Sequence, residues 1–301
     1  MKKLSILALI VLPVLLAAGQ APAPGGKTIR ITGTRLTYPL IGKWIEAYSR
    51  SHPGIRITVG RIPADSADLV IVSHSPGAGD VKEGQQSFVL TRYVQVPVVN
   101  SRRSDVQSLQ QKGFDDAAFR QVYFDGTPSY TVYKRAQPAC ASIAFANHFG
   151  SNQQDIKGTG VTGDDRDLLA AVKKDSSGIS YNNLGFVYDL TTRRQVDSIT
   201  VVPIDLDGNG RIDPEENIYG TLDDVLQFVE KTHHPRILLE DVHVLVRRTP
   251  PDKDITDFLQ WVITRGQEYN HAYGFINLDA TVVQTEERQL TAVYHPGRNH
   301  R

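Results

Sequence analysis

The sequence predicts an α/β fold of one large domain or two lobes, and three observations carry that expectation. Its 301 residues are 40% hydrophobic and 22% charged, an ordinary globular composition. From residue 27 onward, short β-branched segments alternate with stretches whose apolar residues recur at helical spacing. Segments such as "ADLVIVS" are apolar enough to be central, buried strands.

In chain order, "KTIRITGT" alternates as a strand and ends at Gly33. Leu40, Ile41, Trp44, Ile45 and Tyr48 then share a helical face, with Pro39 suited to the first turn. "IRITVG" and "ADLVIVS" predict two more strands, and "RYVQVPVVN" and "SYTVYKR" flank a helix expected over about 104–123. Further helices are predicted over 143–149, 165–174 and 221–230, with strands in "GISYNNLGFVYDL", "SITVVPI" and "DVHVLVRR". Ile255, Phe258, Leu259, Val262 and Ile263 stripe a last helix that ends near Gly266. After Gly274 the pattern weakens, and "HPGRNHR" reads as a mobile end.

Lys2 and Lys3 precede an apolar run from Leu4 to Ala18, followed by the small residues and Pro/Gly of "AAGQAPAPGG". This describes a secretory signal peptide over 1–19 with a linker over 20–26. The run is short for a membrane span, and without a following cysteine the lipoprotein route is closed. The expectation is an exported, soluble, monomeric protein of the periplasm or extracytoplasmic space. Lys+Arg and Asp+Glu balance at 33 each, so no global charge draws in nucleic acid or an anionic membrane. The single cysteine, Cys140, excludes an internal disulfide and reads as a small buried residue before a catalytic thiol.

The stretch "DLDGNGRIDPEE", 205–216, satisfies the calcium-loop pattern D-x-[DN]-x-[DN]-G-x5-E. Asp205, Asp207 and Asn209 offer side-chain oxygens, Arg211 a carbonyl, Asp213 a direct or water-bridged oxygen, and Glu216 a bidentate carboxylate. Hard oxygen donors in this number select Ca2+. The entering segment is β-branched and contains Pro203, so the loop lies between a strand and a helix and lacks a second hand. A structural clip is expected, with an Asx-rich surface turn as the alternative.

Three loops fall at the carboxyl ends of predicted strands, where open α/β sheets bind ligands. Gly33-Thr34-Arg35 leads into a helix N-terminus suited to an anion, or is a simple turn and cap. Ser73-His74 offers a hydroxyl and a titratable ring, or is a capping pair. Arg135 ends a strand before another helix and suits an oxyanion or solvent.

Together these segments resemble the phosphate class of type II periplasmic solute-binding proteins, which serve ABC importers. "GTRLTYPLIGKW" is similar to that family's first phosphate loop, "ADLVIVSH" to its second segment, and "RAQPACASIAF" to its third. "FDDAAFRQVYFDG", "SSGISYNNLGFVYD" and "FLQWVITRGQEY…GF" extend the resemblance from about residue 27 to 278. The resemblance implies a two-lobed periplasmic-binding-protein type II fold, with mixed, mostly parallel sheets and a hinge between the lobes. Lobe 1 would take 27–97 and 240–280, lobe 2 98–239, and 281–301 a tail. It implies an anion site of Thr34, Arg35 (through its amide), Ser73, His74, Arg135 and Ser142. The family's G-S-G-T is replaced by Pro138-Ala139-Cys140-Ala141, which removes two hydroxyl donors. Asp164 and Asp165 are candidates for a carboxylate that accepts the phosphate proton, or are helix caps.

The function expected is therefore non-catalytic: capture of a small oxyanion, phosphate first, for an ABC-transporter permease. The alternative is a calcium-stabilised interaction module with a degenerate anion site. A phosphoester hydrolase would need a nucleophile and general base in reach, and the sequence places none together.

Overall fold

A computed structural model describes residues 27–77, 80–247 and 252–294. The expected signal peptide, linker and terminal "HPGRNHR" lie outside those residues. The strands are β1 (Thr28–Gly33), β2 (Arg56–Val59), β3 (Leu69–Val72), β4 (Gln85–Asn100), β5 (Thr131–Arg135), β6 (Thr159–Val161), β7 (Gly178–Asn183), β8 (Ile199–Val201), β9 (Leu238–Arg247) and β10 (Phe275–Ile276). The helices are α1 (Tyr38–Ser49), α2 (Val106–Lys112), α3 (Asp116–Arg120), α4 (Cys140–His148), α5 (Asp165–Lys174), α6 (Leu184–Val187), α7 (Leu222–Thr232), α8 (Lys253–Ile263) and α9 (Ala280–Tyr294).

The strands join in the order β2-β1-β3-β9-β4-β7-β5-β6, with β8 and β10 paired to β4. Parallel ladders hold the outer strands, β1 with β2 and β3, and β5 with β6 and β7. The sheet is less parallel than expected at its centre, because β4 and β9 run antiparallel to each other and to β3 and β7. These two long strands carry the chain between the lobes.

Two hydrophobic clusters follow. One gathers residues from Ile29 to Tyr93 and from Val242 to Leu290, with Ala141 added; the other gathers Val94 to Leu238, with Ile276 added. The chain crosses between Tyr93 and Val94 in β4 and returns along the first residues of β9. In the first cluster the α1 stripe is buried as its spacing predicts, and Trp44 Nε1 donates to Gly266 O at 2.9 Å. In the second, Phe145 of α4 stacks on Tyr181 of β7 at 4.1 Å between ring centroids and meets Tyr123 edge-on at 4.9 Å. Each such pair contributes about 0.5–1.5 kcal/mol beyond burial. They fix α4 against the sheet and so fix where its first turn points.

Two expectations are corrected. The helix over 104–123 is broken at Gly113, whose φ of +66° ends α2 before α3 begins. A Cβ at Gly113 would meet Pro203 O at 2.9 Å, so the "SITVVPI" segment packs too closely there for an unbroken helix. The weakly patterned tail contains α9, packed on α8 with Leu290 buried. Its apolar face is narrow because only one side is covered. Among the described residues, no helix is long and apolar enough to cross a membrane.

Candidate functional site

The three predicted loops converge where the lobes meet. Gly33 ends β1 with φ +128°, and a Cβ there would lie 2.0 Å from Ile71 O. Only glycine allows that approach. It lets Thr34 N donate to Ile71 O at 2.9 Å, and a 3-10 turn over Arg35–Thr37 then leads into α1. Thr34 Oγ1 comes within 3.2 Å of Ser73 Oγ at the end of β3. Ser73 is fully buried, and Tyr93 Oη donates to its carbonyl at 2.8 Å, which holds the second loop against β4.

From the other lobe, Arg135 arrives at the end of β5, nearly buried, with its Nη1 3.7 Å from Asp165 Oδ2 and its Nη2 donating to Gly163 O. Arg35 crosses between lobes: its Nη2 donates to the same Gly163 carbonyl at 2.6 Å, and its Nη1 lies 3.4 Å from Asp164 Oδ2. Two guanidinium groups, two carboxylates and one carbonyl thus meet at the start of α5. Burial raises the Asp165 carboxyl above its usual range, and Arg135 only partly offsets this.

These groups line a cavity of about 300 Å3 bounded by Gly33, Thr34, Arg35, Arg135, Cys140 and Asp165. Leu36 and Val70 to Val72 of β3 add apolar wall, and the first turn of α4 closes another side, its free amides forming a helix N-terminus beside Pro138 and Ala139. A larger cavity, about 480 Å3, opens beside Pro39, Phe186 and Tyr273; its walls are chiefly apolar and suit an anion poorly.

Of the six expected anion residues, Thr34, Arg35 and Arg135 line the cavity, and Ser73 stands directly behind Thr34. Arg35 brings its guanidinium, where the resemblance implied its amide. Ser142 is not brought in. It is fully buried, and its Oγ accepts from Tyr181 Oη at 2.8 Å, because one residue past Ala141 the helix turns its side chain into the core. His74 is 6% exposed and turns away from solvent toward Asp80, with Nε2 3.3 Å from Asp80 Oδ2. Cys140 is partly exposed and not the buried filler its residue type suggested. Its place in the third segment was the only signal in the sequence that it borders the site.

The loop over 205–216 is stitched to the break between α2 and α3. Phe114 N donates to Pro203 O, Asp205 N to Phe114 O and Ile212 N to Gln111 O, at 2.8, 3.0 and 2.7 Å. Arg236 Nη1 donates to the carbonyls of Asp205 and Leu206 at 3.0 and 2.8 Å. Carboxylate oxygens of Asp205, Asp207 and Glu216 all lie within 4.8 Å of one another. Asp205 and Glu216 are more than nine-tenths buried, and among the described residues no cationic side chain pairs with either. Gly210, at φ +83°, makes the turn, and Asn209 Nδ2 donates to Asp207 Oδ2 and Asp213 Oδ2. Arg211 is exposed, its guanidinium on Asp213 at 2.9 Å. Backbone amides of Gly208, Asn209 and Gly210 donate to Asp205 and those of Leu206, Asp207 and Asp213 to Glu216, and the all-oxygen donor set fits a hard divalent cation.

A pair of antiparallel strands, β4 and β9, joins the two lobes, and the cavity lies where the lobes meet. No family model matches the chain, and no curated protein matches it by sequence. By structure it is similar to a protein from Clostridium perfringens provisionally described as a phosphate ABC transporter substrate-binding protein, with bound phosphate. That match has a TM-score of 0.64 and 12% identity, and covers 84% of this chain and all of the other. It is also similar to an ABC-type phosphate transport receptor from Vibrio cholerae, at TM-score 0.60 and 13% identity, over 84% of this chain and all of that one. A point mutant of full-length BenM matches at TM-score 0.51 and 13% identity, over 84% of this chain and 70% of its own. The chain therefore has the two-lobed type II periplasmic-binding-protein fold.

Proposed function

We propose that this chain is a non-catalytic receptor that closes its lobes around a small oxyanion, phosphate first, outside the cytoplasm, and delivers it to an ABC-transporter permease. The single observation that carries this reading is the cleft itself: Thr34, Arg35 and Arg135 border one cavity with the start of α4. Arg135 suits bidentate contact with an oxyanion, and the amides of α4 suit its remaining oxygens. An entering anion would take the guanidinium donors now spent on Gly163 O. The buried Asp165 beside Arg135, when ionised, would accept a hydrogen bond from the hydroxyl of hydrogen phosphate and repel an oxyanion without one. The lobes would open and close about β4 and β9, as hinged receptors do.

A second reading has a specific observation in its favour. The α4 turn supplies no hydroxyl from Pro138-Ala139-Cys140-Ala141, and both arginines already have carboxylate neighbours. An interaction module that has lost its ligand would look the same. Equilibrium binding separates the two. Ligand-stripped protein titrated with phosphate and sulfate should bind phosphate more tightly, whereas no binding at millimolar phosphate would leave the module.

Calcium completes the proposal. Asp205, Asp207, Asp213 and Glu216 would hold the ion with the Arg211 carbonyl, and a half-turn of the Asn209 amide would present its oxygen. The ion would supply counter-charge to buried carboxylates and clamp the loop to α2 and α3, apart from the anion cleft.

A further inference from the structure

The cavity bordered by Arg35 and Arg135 has neighbours along the junction of the lobes. A second cavity, of about 410 Å3, shares Arg35 and Asp165 with it and adds Arg61 and Arg166. The apolar cavity of about 480 Å3 in turn shares Pro39, Arg166 and Phe186 with the second. From Arg135 to Tyr273 the lining therefore passes from charged groups to apolar ones. An inorganic oxyanion uses only the charged end, because apolar walls offer its oxygens no donor. A cavity of about 300–1,000 Å3 with aromatic walls and a few placed polar groups suits an organic ligand.

The apolar end has such groups. Asn183, which closes β7, lines it and is 3% exposed, and its Nδ2 has no hydrogen-bond partner among the described residues. A buried donor left unpaired is costly, and an acceptor oxygen on a ligand would satisfy it. Phe186 packs against both hydrophobic clusters, so its ring stands where the lobes meet. Arg166 of α5 lies over that ring, with its guanidinium carbon 5.5 Å from the centroid. Among the described residues neither Arg166 nor Arg61 pairs with a carboxylate, which leaves two cationic groups between the charged end and the apolar one.

We propose that the ligand is an organic phosphomonoester, with its phosphoryl group at Thr34, Arg35 and Arg135 and its apolar body in the cavity beside Pro39, Phe186 and Tyr273. This names the ligand class for the proposed oxyanion site and rests on that reading. Arg61 and Arg166 border the stretch where the ester oxygen leaves the phosphoryl group. The singly protonated ester keeps one P–OH for ionised Asp165, and near pH 6 about half of a phosphomonoester is in that form. The body displaces water from the aromatic walls, a gain that inorganic phosphate cannot make.

Ligand-stripped protein is titrated by calorimetry at pH 6 with inorganic phosphate and with methyl, butyl and phenyl phosphate. Phenyl phosphate should bind about tenfold more tightly than inorganic phosphate, and affinity should rise about fourfold for each methylene buried from methyl to butyl. Ala170→Phe sets a ring into the apolar cavity from an exposed position of α5. It should cancel the gain of phenyl phosphate and leave the affinity for inorganic phosphate unchanged. A flat series, with inorganic phosphate held as tightly as its esters, would overturn the proposal and leave the oxyanion reading in place. A phenyl gain that survives in folded Ala170→Phe would overturn it too. If that variant does not fold, the ester series on the unmutated protein decides alone. If neither inorganic phosphate nor any ester binds at millimolar concentration, the oxyanion reading fails and the proposal with it.

Discussion

Arg135 and Asp165 face each other across 3.7 Å at the cleft, the first from the end of β5 and the second from the start of α5, and both are nearly shut off from solvent. A buried ion pair of this kind contributes little as a pair, but it becomes expensive when one partner is removed. The same two groups are the strongest candidates for binding and for discriminating an oxyanion. On the proposed oxyanion reading, stability and recognition are coupled at one place in the chain.

Arg135→Ala should abolish oxyanion binding in calorimetric titration. It should also lower unfolding free energy by about 3–5 kcal/mol, because Asp165 is left buried without its cation. Asp165→Asn removes the negative charge and keeps the shape. The ratio of sulfate to phosphate affinity should then rise about tenfold. An unchanged ratio would take discrimination away from Asp165.

Chelation should lower the melting temperature of purified protein, and Ca2+ at ten times its dissociation constant should restore about 1.4 kcal/mol. That corresponds to about 3–5 °C for a chain of this size. Asp205→Asn combined with Glu216→Gln should abolish the shift and leave anion affinity unchanged, since the loop shares no residue with the cavity lining. A large loss of anion affinity on chelation, at constant melting temperature, would make the loop a switch and not a clip.

Glu240 lies on β9 opposite Tyr93. Burial first, and Asp241 second, raise its carboxyl from 4.5 to about 7, against the pull of His74. The folded state thus holds this proton more tightly than the unfolded chain does. The stabilisation it adds is complete below pH 4.5 and is lost as pH rises through about 7. Melting temperatures of the unmutated protein relative to Glu240→Gln should fall across that window and level off above it. A flat difference would show that the carboxyl titrates normally.

Much of the architecture was legible from patterning. The α1 and α8 stripes and the helix starting at Asp165 stand where their spacing put them, because each depends on a local repeat against one covered face. The break at Gly113 has local signals, the glycine itself and the Asp115 cap, but the close approach of Pro203 and Ile212 that leaves no room for a side chain there comes from far along the chain. Helix α9 escaped for a related reason: its narrow apolar face is meaningful only once α8 is beside it.

The sequence by itself determined the α/β class, the three strand-end loops and the oxygen-rich pattern of "DLDGNGRIDPEE", since each is written in consecutive residues. Only the tertiary structure decided which side chains share a cavity. It turned Ser142 into the core beneath Tyr181, carried the Arg35 guanidinium across to Gly163, and set Arg135 against Asp165. Periodicity records which face of an element is covered; the direction of a particular side chain in a cleft depends on how the strands β4 and β9 bring the two lobes together, and that is a property of the assembled sheet.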